Sequence, residues 1–362
     1  MADNHFKIHK GVTIAPQPSP PSNPTNGDIY YDSGLDRFQK YEAGSWQDLG
    51  SVNFNGYTKD NLLINGNFDF WQRGTTLSSG AGDKYLADRW KSSSNVESYL
   101  LQFDTPNDKS VYSALIARTT SGASDVTLEQ RIEARSLKRY EGKQLTVSFY
   151  CKQNTGSQPV SIEVYANTAP DNGVFGLPVV TATSLGTPTS SWDIYTYTFT
   201  VNSALANNGG RVVLGGLSIV APANYYFSQV QMIEGTSNPT DYILSGKTID
   251  GELSLCKRFY EKSYIIDVSP GTVTNVGYNI YYQMASNTTE FNTTVFMQVE
   301  KRAIPTVVLY NPATGTINQG SRGGTATAGG SINPGTKQFR AFISSGVNTN
   351  QFFFHWIADS EL

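Results

Sequence analysis

Three stretches in the middle of this chain alternate apolar and polar side chains with a period of two. Leu145, Val147, Phe149 and Cys151 share one face of 144–152. Val160, Ile162 and Val164 share one face of 160–166, and Tyr195, Tyr197, Phe199 and Val201 one face of 194–201. A period of two is the repeat of a β-strand, whose side chains point alternately to opposite faces. Residues 211–220 and 225–233 extend the set, and Gly, Asn, Pro and Ser turns separate its members. No amphipathic helix intervenes to carry a parallel crossover, so the strands are expected to pair antiparallel in two packed sheets, a sandwich or jelly roll.

Composition agrees with an all-β chain. Charged residues make up 16 % of the sequence, against about 25 % in an average globular protein. The 21 Tyr and 18 Phe are too many aromatics for a disordered chain and suit half-buried strand faces. Formal net charge is −3 and no run of five or six basic residues occurs, so a nucleic-acid partner, which needs a basic footprint, is not expected. No stretch approaches the roughly 18 apolar residues of a membrane span, so membrane insertion is not expected, and the N-terminus shows no secretory pattern. Cys151 and Cys256 are the two cysteines. They cannot build a disulfide framework, and Cys151 is expected to be a buried free thiol made in a reducing cytoplasm.

Four regions follow from the pattern. Residues 1–60 hold a Pro-rich extended arm, with five prolines between Pro16 and Pro24, and then a small meander of three short strands. Prolines at that density keep a backbone extended and without ladder hydrogen bonds, and about 24 residues of meander are too few for a sound core of their own. Residues 61–245 form the sandwich, with a helical turn or two near 136–141 stopped by Gly142. Residues 246–262 read as a connector helix over 250–262, capped by Asp250 and closed by Lys257, Arg258 and Lys262. Residues 263–362 read as a C-terminal β-sandwich, with strands near 291–299, 306–310, 338–344 and 351–357. The Gly-, Thr- and Ser-rich segment 314–335 is expected there as an irregular loop at a distal tip.

Four segments together resemble tail-fibre and related virion proteins of tailed bacteriophages. The first is Asn26-Gly27-Asp28-Ile29-Tyr30-Tyr31-Asp32-Ser33 with Gly44-Ser45-Trp46. The second is Asn61-Leu62-Leu63-Ile64-Asn65-Gly66-Asn67-Phe68, continuing to Thr75, with Ala87-Asp88-Arg89-Trp90 downstream. The third is Val230-Gln231-Met232-Ile233-Glu234-Gly235, Pro239-Thr240 and Glu252-Leu253-Ser254-Leu255-Cys256-Lys257-Arg258-Phe259-Tyr260-Glu261-Lys262. The fourth is the terminus His355-Trp356-Ile357-Ala358-Asp359-Ser360-Glu361-Leu362. The second and third bracket a region similar to carbohydrate-binding jelly rolls.

The resemblance implies a non-enzymatic structural and adhesive part of a tailed-phage virion, made in the bacterial cytoplasm and commonly homotrimeric. Residues 1–50 would engage a tail, portal or capsid protein, and the distal β domains would meet host surface polysaccharide. A head fibre or capsid decoration is the alternative within this class, and a glycan-active enzyme the alternative outside it.

No catalytic constellation is legible. The histidines are His5, His9 and His355, with no HExxH around the first two, and no nucleophile elbow, P-loop or dinucleotide fingerprint occurs. Asp69, Asp83, Asp88, Glu129 and Glu163 are available carboxylates, but nothing in the sequence pairs two of them across one bond as glycoside hydrolysis requires. For glycan binding, Trp71, Trp90, Tyr165, Tyr195 and Trp192 supply rings. Trp71 and Trp90 suit a core equally well, whereas Tyr165 is expected to face outward because Val164 and Ala166 take the inward face. Arg322, the only charge in 314–335, is the candidate in the distal loop. The resemblance to carbohydrate-binding modules implies a structural calcium with Asp69 as an oxygen ligand; otherwise no cofactor is expected.

Overall fold

The computed structural model describes residues 17–33, 37–48, 60–78, 84–93, 95–120, 122, 124–219, 222–235, 242–282, 290–322, 324–344 and 351–362. His5, His9 and Asp83 lie outside these residues. The chain divides into two compact units, Met1–Thr58 and Lys59–Leu362. Among the described residues no helix is long and apolar enough to cross a membrane.

The first unit is an antiparallel meander of β1 (Ile29–Asp32), β2 (Arg37–Glu42) and β3 (Ser45–Asp48). Ala43 and Gly44 turn between β2 and β3, both at positive φ (50° and 84°), the left-handed pair that a two-residue hairpin of right-handed twist requires. Tyr30 is the buried apolar residue of this unit among those described. Its ring meets Trp46 edge-on at 4.6 Å and its hydroxyl donates to Asp32 at 2.8 Å. The Pro-rich segment joins through Gln17, whose N–H donates to Tyr31 O and whose carbonyl accepts from Ser33 N, both at 2.9 Å.

The second unit opens with a sandwich of twelve strands. These are β4 (Thr76–Ser78), β5 (Lys84–Tyr85), β6 (Lys91–Ser92), β7 (Ser98–Gln102), β8 (Ser113–Arg118), β9 (Ser124–Ile132), β10 (Gln144–Lys152), β11 (Val160–Asn167), β12 (Phe175–Gly186), β13 (Asp193–Thr200), β14 (Gly210–Ile219) and β15 (Ala223–Glu234). They make two six-stranded sheets, β13-β10-β15-β8-β7-β4 and β12-β11-β14-β9-β6-β5. Every described ladder between them is antiparallel. The inward faces read from the alternation meet in one core: Leu145, Val147, Phe149, Cys151, Val160, Ile162, Val164, Tyr195 and Phe199 are all buried in it. Both cysteines are free and buried. α1 (Ala134–Leu137) and a 3₁₀ turn (Lys138–Tyr140) fall where one or two helical turns are predicted, and Gly142 follows at φ 77°. α2 (Ser203–Asn208) is not predicted; Asn202 caps it by accepting from Leu205 N at 2.8 Å.

α3 (Ile249–Lys257) is shorter than the predicted helix, and its cap is Thr248, whose Oγ1 accepts from Gly251 N at 3.0 Å, rather than Asp250. Tyr260–Lys262 is not helical but a strand, β16, paired with the last strand of the chain. Tyr260, Glu261 and Lys262 are all buried, so pairing and burial on both faces override helix propensity there.

The remaining strands are β17 (Asn279–Tyr282), β18 (Glu290–Phe296), β19 (Thr306–Tyr310), β20 (Gln319–Arg322), β21 (Thr325–Ile332), β22 (Gln338–Ser344) and β23 (Gln351–Asp359). Together with β16 they form one eight-stranded sheet in which β23 pairs with β16, β17, β19 and β20. Segment 314–335 is therefore not an irregular loop: most of it is the hairpin β20–β21, hydrogen-bonded to β22 and β23. Two of its glycines serve close packing. A Cβ on Gly320 would sit 1.9 Å from Ile343 Cδ1, and one on Gly329 3.0 Å from Phe342 O.

His355 is buried on β23 and stacks on Tyr264 at 3.8 Å. Its Nε2 lies 3.1 Å from the Thr274 carbonyl, which can only accept, so Nε2 carries the proton and Nδ1 accepts from Ser263 Oγ at 3.0 Å. Burial pushes this imidazole down to about 4. The unfolded chain therefore binds the proton first, and His355 should withdraw roughly 1.4 kcal/mol of stability per pH unit as pH falls from 6.5 to 4. Asp69 and Asp88, both pushed up to about 6 by burial, act in the opposite direction over that range. The His355 contribution is read by urea denaturation as the difference between wild type and His355→Asn, which should shrink on acidification; a difference independent of pH would contradict it.

The sandwich and the C-terminal sheet are joined by a buried charged seam. Arg89, 1 % exposed, pairs with Glu361, donates to Arg131 O and lies 3.5 Å over the Phe259 ring. Arg73 lies 3.6 Å over Tyr260 and reaches Asp359 and Glu361 at 3.2 and 3.4 Å. Lys262 Nζ donates to the carbonyls of Gln72, Ile266 and Val268 at 2.7–2.8 Å. Arg258 forks onto Glu133 with both terminal nitrogens.

Candidate functional site

The sequence candidates separate by burial. Trp71 and Trp90 are 5 % and 0 % exposed. Their indole N–H groups donate to Phe68 O at 2.6 Å and Asn65 O at 2.9 Å, so both rings pack the core and offer no face to a sugar. Arg322 is 1 % exposed within β20 and is enclosed in the C-terminal sheet rather than held at a loop tip. Asp69 is half-buried, and among the described residues no group of three or more His, Cys, Asp or Glu converges on a point that could hold a metal. Asp88 is buried and accepts from Gln72 Nε2 at 2.6 Å, a packing role.

Tyr165 lies on the outer face of the sheet β12-β11-β14-β9-β6-β5, half-buried. In register across the strands it stands opposite Arg211, which stands opposite Arg131. The Arg211 guanidinium lies 4.6 Å from the Tyr165 ring centre and 4.2 Å from that of Phe175. Arg211 also donates to Glu129 at 2.6 Å, and Arg131 donates to the same carboxylate at 3.1 Å. The Tyr165 hydroxyl donates to Glu163 at 3.0 Å, and burial together with that bond holds the phenol above its ordinary range. Strands β12, β11, β14 and β9 thus present two rings held by one guanidinium, with carboxylates alongside. Cation–π contact fixes the rings at low entropic cost, leaving apolar faces and charged hydrogen-bonding groups at the spacing of adjacent strands. Such a surface suits a ligand with one apolar face and many hydroxyls.

A second aromatic surface lies on the other sheet. Trp192 Nε1 donates to Asp104 Oδ1 at 3.1 Å, and Lys152 pairs with Asp104 while lying 5.2 Å from the Trp192 ring and 4.9 Å from that of Tyr226. Lys152 holds the Asp104 carboxyl below its usual range. Phe103, 77 % exposed, meets Tyr112 edge-on at 5.4 Å. These residues come from separate segments, so only strand pairing brings them together. The one signal in the sequence was Trp192 itself, an aromatic amid Ser and Asp before a strand.

No family model and no curated protein sequence matches the chain. Solved structures match about half of it. The enzymatically active domain of bacteriophage CBA120 tailspike protein 4 is 16 % identical over 48 % of this chain, with a TM-score of 0.32, and the match spans 21 % of that chain. A CBM4 structure is 19 % identical over 47 % of this chain and 98 % of its own, with a TM-score of 0.33. A putative sugar binding protein from Bacteroides thetaiotaomicron is 14 % identical over 48 % of this chain and 100 % of its own, with a TM-score of 0.35. Likeness at this level assigns no ligand to the present chain.

Proposed function

We propose that the chain is a non-enzymatic structural and adhesive component of a tailed-phage virion, a tail fibre or related appendage, that binds host surface glycan on the Tyr165 face. The observation that carries the binding role is the Tyr165–Arg211–Phe175 arrangement, two rings gripped by one guanidinium on adjacent strands. Strands rather than loops position it, so little side-chain freedom is lost on binding. The virion role is supported by the four segments that resemble phage appendage proteins. It is also supported by the N-terminal meander, which buries a single apolar ring among its described residues and gains from a partner surface to hold its order. Homotrimerisation and docking on a tail, portal or capsid protein through residues 1–50 belong to the same proposal. Host contact is assigned to the sandwich rather than to 314–335, because that segment is built into a sheet.

Antibody against the purified chain should label intact virions, and the full-length chain should compete with particles for adsorption to host cells without releasing reducing sugar from host polysaccharide. Labelled virions with no competition would leave the head-fibre or capsid-decoration reading. Release of reducing sugar would replace the non-enzymatic role with a glycan-active one.

A further inference from the structure

Between the sandwich and α3 lies a cleft of about 400 Å³ whose wall carries Arg89, Arg131, Arg135, Arg139 and Arg258 against two carboxylates, Asp60 and Glu133. That volume falls within the range of roughly 300–1,000 Å³ typical of small-ligand sites. The floor is neutralised: Arg258 holds Glu133 with both terminal nitrogens, and Arg89 pairs with Glu361. The mouth is not. Arg135 on α1 has a side chain 70 % exposed, and its one ion pair among the described residues, Nε to Glu133, is stretched to 3.9 Å. Arg139, four residues on, is 60 % exposed and spends one terminal nitrogen on Asp60 at 2.7 Å, a carboxylate already held by Lys247. Inside, Arg89 Nε is buried with no acceptor. Free guanidinium donors at the mouth, an unanswered buried donor beneath them and apolar side chains of Leu62, Ile64 and Leu255 beside them make a concave anion site with an apolar wall.

We propose that this cleft binds the carboxylate of a small acidic saccharide, a uronate of one or two units, through Arg135 and Arg139. Guanidinium forks match a carboxylate bidentately, and charge-assisted hydrogen bonds are the strong ones. The saccharide identity rests on the glycan-binding reading above; the anion site does not. The two can fail separately, because Tyr165→Ala leaves the cleft untouched.

The test is calorimetric titration of the full-length chain at low salt with digalacturonate, neutral digalactose and inorganic sulfate. Digalacturonate should bind, digalactose should not, and sulfate should bind more weakly. Arg135→Gln/Arg139→Gln should weaken digalacturonate about tenfold or more, whereas Arg340→Gln, on an exposed position of β22, should change nothing. Ser136→Trp, which keeps every charge but fills the mouth, should also abolish binding and guards against a folding artefact in the double variant. No binding of either digalacturonate or sulfate, or equal binding by the double variant, would overturn the site. Sulfate binding as tightly as digalacturonate would overturn the saccharide assignment.

Discussion

Trp90→Ala should destabilise the second unit by about 3–5 kcal/mol, the range for deleting a large buried aromatic, whereas Tyr165→Ala should cost less than about 1 kcal/mol. Trp90 is fully enclosed, packs on Phe68 at 5.4 Å and anchors its indole to Asn65 O. That carbonyl also accepts from Phe68 N at 3.0 Å, so most of the loss is packing and cavity rather than an orphaned acceptor. Tyr165 is half-buried on an outer face, where truncation removes little enclosed volume. Urea denaturation of both variants separates the roles of two aromatics that the sequence alone leaves side by side. A Trp90→Ala protein of wild-type stability would contradict the core assignment.

Arg89→Ala should be of similar size, about 3–5 kcal/mol, because it leaves a buried carboxylate without its principal partner. Among the described residues the Glu361 carboxylate would keep only the Arg73 contact at 3.4 Å, Arg131 O would lose its guanidinium donor, and the Phe259 ring would keep only Arg258, at 5.2 Å. The mechanism predicts its own rescue. Arg89→Met combined with Glu361→Leu removes both charges and should recover most of the loss, since replacing a buried pair by apolar side chains is often neutral. A double variant as unstable as Arg89→Ala would mean that the seam depends on the shape of the guanidinium rather than on charge pairing.

The central strands were legible because apolar and polar side chains alternate along them, even where, as in β10, both faces are buried. β10 falls on the residues where alternation places it, and Tyr165 is outward for the reason that Val164 and Ala166 are inward. Elements without that contrast were not legible. β12 is an edge strand with Pro178 and a single buried side chain, so it shows no period of two, and the hairpin β20–β21 hides in a composition that reads as loop. There glycine marks close approach of β22 rather than freedom, a distinction that depends on Ile343 and Phe342, some 13–23 residues away in the chain. The helix end at Lys257 could not be read because strand pairing with β23, nearly a hundred residues later, decides it. Two of the three residues at the centre of the candidate site shared that fate. Tyr165 was readable alone, but Phe175 and Arg211 join it only through the ladders of β11 with β12 and β14.

The claim that the Tyr165 face binds host glycan is tested most directly by affinity electrophoresis of the full-length chain through gels containing surface polysaccharide from the host. Wild-type protein should be retarded. Tyr165→Ala and Arg211→Ala should each lose about tenfold or more in affinity, as removal of a stacking or charge-assisted contact predicts, and Trp192→Ala should migrate as wild type. Retardation that survives Tyr165→Ala and Arg211→Ala but disappears in Trp192→Ala would contradict the account and move the binding surface to the opposite sheet.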